Sequence, residues 1–194
     1  MKRKPISITI LILLVAFIGY RFYDNRRAIE SIDQIDKLAK EAALKAVDSL
    51  KMRWSIRETK DEMTDRNTKI ASAISQNTVN FDFPYEGGST LSMYIREKDS
   101  KIDVYFIISQ GQFVCNEYSG TDEIVMRFDE DEAITYKTSE SATGDSKYLF
   151  IRYDKDAKQI LNKCRTSKMI RVKAPFYQEG SRVFTFNVNE PLSF

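Results

Sequence analysis

The chain has 194 residues, with 30 basic and 28 acidic side chains, two cysteines and no histidine. The missing histidine removes the commonest general base, the Ser-His and Cys-His nucleophile pairs, and the usual zinc, copper and haem ligand sets. Beyond residue 27 there are 24 basic and 27 acidic side chains, so the positive net charge belongs to the N-terminal end and no nucleic-acid partner is expected.

Residues 6–20, ISITILILLVAFIGY, are an uninterrupted apolar run behind Lys2, Arg3 and Lys4. From Pro5 to Tyr23 a helix would cover about 28 Å, close to the roughly 30 Å of a hydrocarbon core. Ile6, Leu11, Leu14, Phe17 and the other strongly apolar members favour insertion by about 5 kcal/mol together. Tyr20, Phe22 and Tyr23 supply an interfacial belt, and Arg21 can snorkel to the headgroups. No small-residue pair marks a cleavage point, since Phe17 stands two before Gly19 and Arg26 two before Ala28. An uncleaved transmembrane signal anchor is therefore expected over 1–23. A cleaved signal peptide and a buried helix of a soluble domain are the alternatives. The slight basic bias and the short N-terminal tail predict a single-pass protein of the inner (cytoplasmic) membrane, its C-terminal domain in the periplasm or extracytoplasmic space.

Residues 24–52 read as one juxtamembrane amphipathic helix without Gly or Pro. Ala28, Ile32, Ile35, Ala39, Ala42 and Ala46 recur at alternating steps of four and three, and Ile29, Leu38 and Leu50 widen the stripe. This stalk either packs on its own domain or joins a second copy through residues 28–50. Six seam positions are too few to define a coiled coil.

From Arg53 onward short alternating runs are broken by turns. Strands are predicted at 53–59, 68–83 (interrupted near Asn77), 90–97, 102–109, 112–118, 123–128, 133–139, 148–153, 169–176 and 183–188. Ile170, Val172, Ala174 and Phe176 should share one face, as should Phe184, Phe186 and Val188. One helix is predicted at 154–165, with Asp154 as N-cap and Ile160, Leu161 and Cys164 inward. The expectation for 53–194 is an all-β extracytoplasmic domain, an antiparallel sandwich or small barrel with one short helix.

Candidate chemistry is sparse. Cys115 and Cys164 have no metal spacing and no CxxC partner; in an oxidising compartment a disulfide between them would add roughly 3–4 kcal/mol. Two unrelated buried thiols are the alternative. The run Asp129-Glu130-Asp131-Glu132 lacks the glycine-bearing spacing of an EF-hand loop and sits where a solvated turn is expected. Tyr85, Tyr105, Tyr118, Tyr136 and Tyr177 fall near turns or on faces opposite aliphatic residues, and an exposed set of them would suit a protein partner or a glycan. No nucleotide-binding glycine pattern or SxxK signature is present, so neither a catalytic residue nor a metal or other cofactor is assigned.

Trp54 followed by Asp61-Glu62-Met63-Thr64-Asp65, Arg127-Phe128-Asp129, and Phe176-Tyr177-Gln178-Glu179-Gly180 with Phe184-Thr185-Phe186 together resemble a small exported β-rich domain. That domain occurs in uncharacterised envelope proteins of proteobacteria and their phages. The layout is similar, more distantly, to VasI-type accessory proteins of type VI secretion. The resemblance covers roughly residues 53–190 and implies an envelope setting without any chemistry. From the residues themselves, Trp54 should anchor the core, Asp61, Thr64 and Asp65 should build a self-bonded turn, and Gly180 should supply a positive φ in a hairpin. The function expected is a membrane-anchored, non-catalytic module that binds an envelope protein, as a secretion accessory or a phage or prophage factor. The alternative is a carboxylate-dependent hydrolase or binder of cell-wall polysaccharide.

Overall fold

The computed structural model describes residues 32–47, 49 and 53–193. The expected membrane span, with Ile6, Leu11, Leu14, Phe17 and Tyr20, lies outside them. Among the described residues no helix is long and apolar enough to cross a membrane. The chain divides into two units, Met1–Val47 and Asp48–Phe194. In the first, residues 32–47 are helical (α1) and carry Ile32, Ile35, Leu38, Leu44 and Val47 exposed.

The second unit is nearly all β. Its strands are β1 (Ser55–Lys60), β2 (Asn67–Ile74), β3 (Leu91–Lys98), β4 (Lys101–Ile108), β5 (Glu123–Phe128), β6 (Ile134–Glu140), β7 (Tyr148–Ile151), β8 (Met169–Phe176) and β9 (Gly180–Asn187), with α2 (Asp154–Cys164) between β7 and β8. They form an antiparallel nine-stranded sheet in the order β1-β2-β3-β4-β7-β6-β5-β8-β9. Strand β6 turns the corner of this sheet. Its residues Ile134 to Lys137 pair with β5, and Thr138 to Glu140 pair with β7.

The opposite corner is made by the segment after β2. Gln76 N donates to Thr185 O at 2.8 Å, Asn77 Nδ2 donates to Val183 O at 2.9 Å, and Thr185 N donates to Asn77 Oδ1 at 2.7 Å. In a flat sheet β2 and β9 would stand seven strand spacings apart, roughly 34 Å. Hydrogen bonds from Gln76 and Asn77, just past the end of β2, to β9 therefore require the sheet to bend round its core. That core takes alternate residues from every strand but β1: Leu91, Met93 and Ile95, Val104, Phe106 and Ile108, Ile170 and Val172, Phe184 and Phe186 are all wholly buried. Ala157, Ile160, Leu161 and Cys164 of α2 join the same cluster.

Most expected elements fall within a few residues of their observed bounds, with instructive exceptions. The run 112–118 is not a strand. Only Phe113 bridges to Phe176, because Asn116 Oδ1 instead accepts from Tyr118 N and Ser119 N and turns the chain. Strand β2 stops at Ile74, where Ser75 Oγ accepts from Leu91 N and donates to Asn77 O. The N-cap of α2 is Tyr153 rather than Asp154, which lies in the first turn with Asp156, where carboxylates favour the helix dipole. Trp54 is half-buried against the core, Asp61 Oδ1 accepts from Met63 N and Thr64 N at 2.9 Å, and Gly180 has φ +66°.

The Asn77 clasp makes a testable point of weakness. Asn77→Ala leaves Thr185 N–H and Val183 C=O without partners and should cost about 2 kcal/mol. Asn77→Asp, which keeps the acceptor for Thr185, should recover part of it. Urea denaturation of the three proteins measures both.

Candidate interaction surface

The hairpin between β3 and β4 fixes the geometry of the outer face. Asp99 and Ser100 both have positive φ, +51° and +62°, a two-residue turn that pairs Lys98 with Lys101. With that register set, the period of two places Ser92, Tyr94 and Arg96 outward on β3, and Asp103, Tyr105 and Ile107 outward on β4. Tyr94 faces Tyr105, and β7 sets Phe150 on the other side of Tyr105.

These three rings form a ladder across adjacent strands. The Tyr94 and Tyr105 centroids are 4.9 Å apart with 4° between the planes, and Tyr105 and Phe150 are 5.1 Å apart at 24°. Rings so close and so nearly parallel lie face to face. Tyr105 is thus covered on both faces. Ser72 on β2 and Ser139 on β6 extend the row at its two ends. The next row along the strands is Ile74, Ser92, Ile107 and Tyr148. On the other flank Arg96 chelates Asp103 Oδ2 at 2.6 and 3.1 Å, and its guanidinium lies 5.8 Å from the Tyr105 ring centre. Burial pushes the Tyr105 phenol up from its ordinary range. The outer face of β8 instead carries Arg171 and Lys173.

The tyrosines singled out from sequence do not come together as one patch. Tyr118 is fully exposed on the Asn116 loop, with a relative exposure of 103%. Tyr177 is exposed in the β8–β9 hairpin, and its N–H donates to Gln112 O. Tyr85 is half-buried against the core and accepts from Gln112 Nε2 at 2.9 Å. Tyr136 is 1% exposed and faces the core, so its place on an outer face is corrected: Tyr136 shares its phase on β6 with buried Thr138. Tyr94, Tyr148 and Phe150 were missed. Tyr94 had a readable signal, an aromatic in the polar phase of a strand whose two-residue turn pairs it with Tyr105.

The expected disulfide is also corrected. Cys115 and Cys164 are free thiols. Cys164 sits wholly buried on the inner side of α2, while the Cys115 Sγ lies 3.5 Å from Thr138 Oγ1. Burial pushes both thiols up, away from the nucleophilic thiolate.

Beside Cys115 stands a charge cluster. Asp122 is wholly buried, with Lys137 Nζ at 3.1 Å from Oδ1 and Arg152 Nη2 at 3.5 Å from Oδ2. Lys137 also meets Glu123 at 2.8 Å, and Arg152 meets Glu117 at 3.6 Å while its Nε donates to Thr138 O. Hydrogen bonds to Glu123 and then Asp122 hold the Lys137 ammonium above its ordinary value. The cluster ties the 115–122 loop to β6 and β7, and Cys115, Tyr118, Glu140 and Arg152 line a shallow depression of about 360 Å³ above it.

The acidic run is likewise structural. Asp129 Oδ1 accepts from Lys168 N and Met169 N, Glu130 pairs with Arg127 and Arg171, and Asp131 meets Lys163 at 2.7 Å. Among the described residues no group of three or more potential ligands could hold a metal ion.

Tyr136 yields a pH prediction. Burial pushes its phenol up to about 12, with Asp156 and Cys164 adding to the shift; in the unfolded chain it ionises near 10. The folded state keeps a proton that the unfolded state releases, so this contribution is complete below pH 10 and is lost as pH rises from 10 to 12. The hydroxyl is also buried without a partner. Tyr136→Phe should therefore stay within about 1 kcal/mol of wild type at pH 7 and lose less stability between pH 10 and 12, as urea midpoints at the two extremes would show.

Comparison with protein families, characterised proteins and solved structures finds no match to this chain.

Proposed function

We propose that the protein is a membrane-anchored envelope factor whose β-domain binds another protein and catalyses no reaction. The anchor rests on the apolar run 6–20 with its basic flank. It draws no support from a disulfide. The domain itself we infer to be a small barrel with two corners, one at β6 and one at the Asn77 clasp.

The observation that carries the binding role is the ladder Tyr94-Tyr105-Phe150, set beside Ile74, Ile107 and Tyr148 and edged by Arg96. Aromatic and aliphatic side chains held rigidly on a strand face, with arginine at the rim, have the composition of a protein-binding hot spot. Polysaccharide binding is less well served, because a sugar ring stacks on an open aromatic face and Tyr105 offers none. Hydrolysis is less well served still. Both oxygens of buried Asp122 face cations, and neither cysteine has a base.

The test is affinity capture of the tagged full-length chain from native membranes. Tyr105→Ala should reduce recovery of a co-purifying protein at least tenfold, the loss of about 1.4 kcal/mol. Tyr118→Ala and Tyr177→Ala should leave it unchanged. Undiminished capture by Tyr105→Ala, or retention on cell-wall polysaccharide that Tyr105→Ala abolishes, would overturn the reading.

A further inference from the structure

Charge is unevenly spread along the chain. Residues 152–173 hold 8 basic and 2 acidic side chains, whereas the rest of the chain beyond residue 27 holds 16 and 25. Some of the basic groups have partners within the fold: Arg152 meets Asp122, Lys163 meets Asp131, and Arg171 meets Glu130. Lys155, Lys158 and Lys168 do not. They are exposed and, among the described residues, have no carboxylate within ion-pair distance. Helix α2 turns Ala157, Ile160, Leu161 and Cys164 to the core, so its other side faces solvent. There Lys155, Lys158, Gln159, Asn162, Lys163 and Thr166 line a shallow groove of about 500 Å³.

The position of this face is a second, independent observation. The tail after β9 holds the C-terminal end of α2, with Val188 N donating to Lys168 O at 2.7 Å and Leu192 N to Cys164 O at 2.9 Å. The same tail, through Asn189, Glu190 and Pro191, lines a cleft with Arg53 and Trp54. The basic end of α2 is therefore a neighbour of the point where the chain enters the β-domain from its N-terminal side. An anionic surface attracts this end and repels the acidic remainder, so it would orient the domain as well as bind it.

We propose that the basic face of α2 rests on anionic headgroups of the bilayer that holds the anchor. This builds on the membrane-anchored reading above and not on the binding role of the outer face of β3, β4 and β7. A helix over 24–52 standing upright would hold Arg53 about 43 Å from the bilayer. Contact therefore requires that segment to lie along the membrane surface. The exposed Ile32, Ile35, Leu38, Leu44 and Val47 of α1 suit burial at the boundary between headgroups and acyl chains.

The test uses the full chain reconstituted in vesicles of phosphatidylcholine, with or without phosphatidylglycerol, and a photoreactive side chain in place of Gln159. The chain should float with both kinds of vesicle. Its lipid adduct should be about tenfold or more stronger with phosphatidylglycerol present, and raised salt should weaken it. Lys155→Glu, Lys158→Glu and Lys168→Glu together should lower the adduct by about tenfold or more, with the unfolding midpoint of the domain unchanged. The corresponding glutamine triple variant should fall between. Equal adducts in the two vesicles, no lipid adduct in either, or an adduct that the glutamate variant leaves intact would overturn the proposal. So would an adduct in native membranes with an acidic protein in place of lipid. A chain that floats only with phosphatidylglycerol would remove the anchor while supporting the contact, and one that floats with neither vesicle would overturn both.

Discussion

The two-residue turn at Asp99-Ser100 governs more of this molecule than any other local feature. It fixes the pairing of β3 with β4, and a slip of one residue would exchange every inward side chain for an outward one. In the observed register Met93, Ile95, Val104 and Phe106 enter the core, while Tyr94 and Tyr105 meet outside. Core and candidate binding surface are thus two faces of one hairpin.

Around this hairpin, polar side chains hold the loops and bends of the sheet in place. Asn77 joins the segment after β2 to β9, the Asp122 cluster pins the 115–122 loop to β6 and β7, and Asp129 links the β5–β6 turn to the start of β8. Each is a short polar side chain bonding backbone or countercharge at a corner where the strand ladder lapses. This explains why the acidic and cysteine-bearing segments, which looked chemically suggestive, carry architecture. Asp129 accepts from the backbone of β8, and Glu130, Asp131 and Asp122 face cations.

Local periodicity made the strands legible. Ile170 through Phe176 and Phe184 through Val188 face inward as their alternation predicted, and α2 buries Ile160, Leu161 and Cys164. What the sequence could not convey was pairing between distant segments. Nothing near Phe150 announces that β7 lies beside β4, so only two rungs of the ladder could be read from the chain. Tyr136 misled because its neighbours Ile134 and Lys137 do not mark which phase of β6 is inward. The Cys115–Cys164 pairing failed for a similar reason. One thiol faces the core from a helix, and the other faces Thr138.

The binding role proposed for the outer face of β3, β4 and β7 requires another protein to dock there. Site-specific photocross-linking in native membranes tests it most directly, with the reactive side chain placed at Tyr148 in one variant and at Lys173, on the outer face of β8, in the other. An adduct with a second protein is expected from position 148 and none from 173. Adducts from 173 alone, or none from 148, would contradict it.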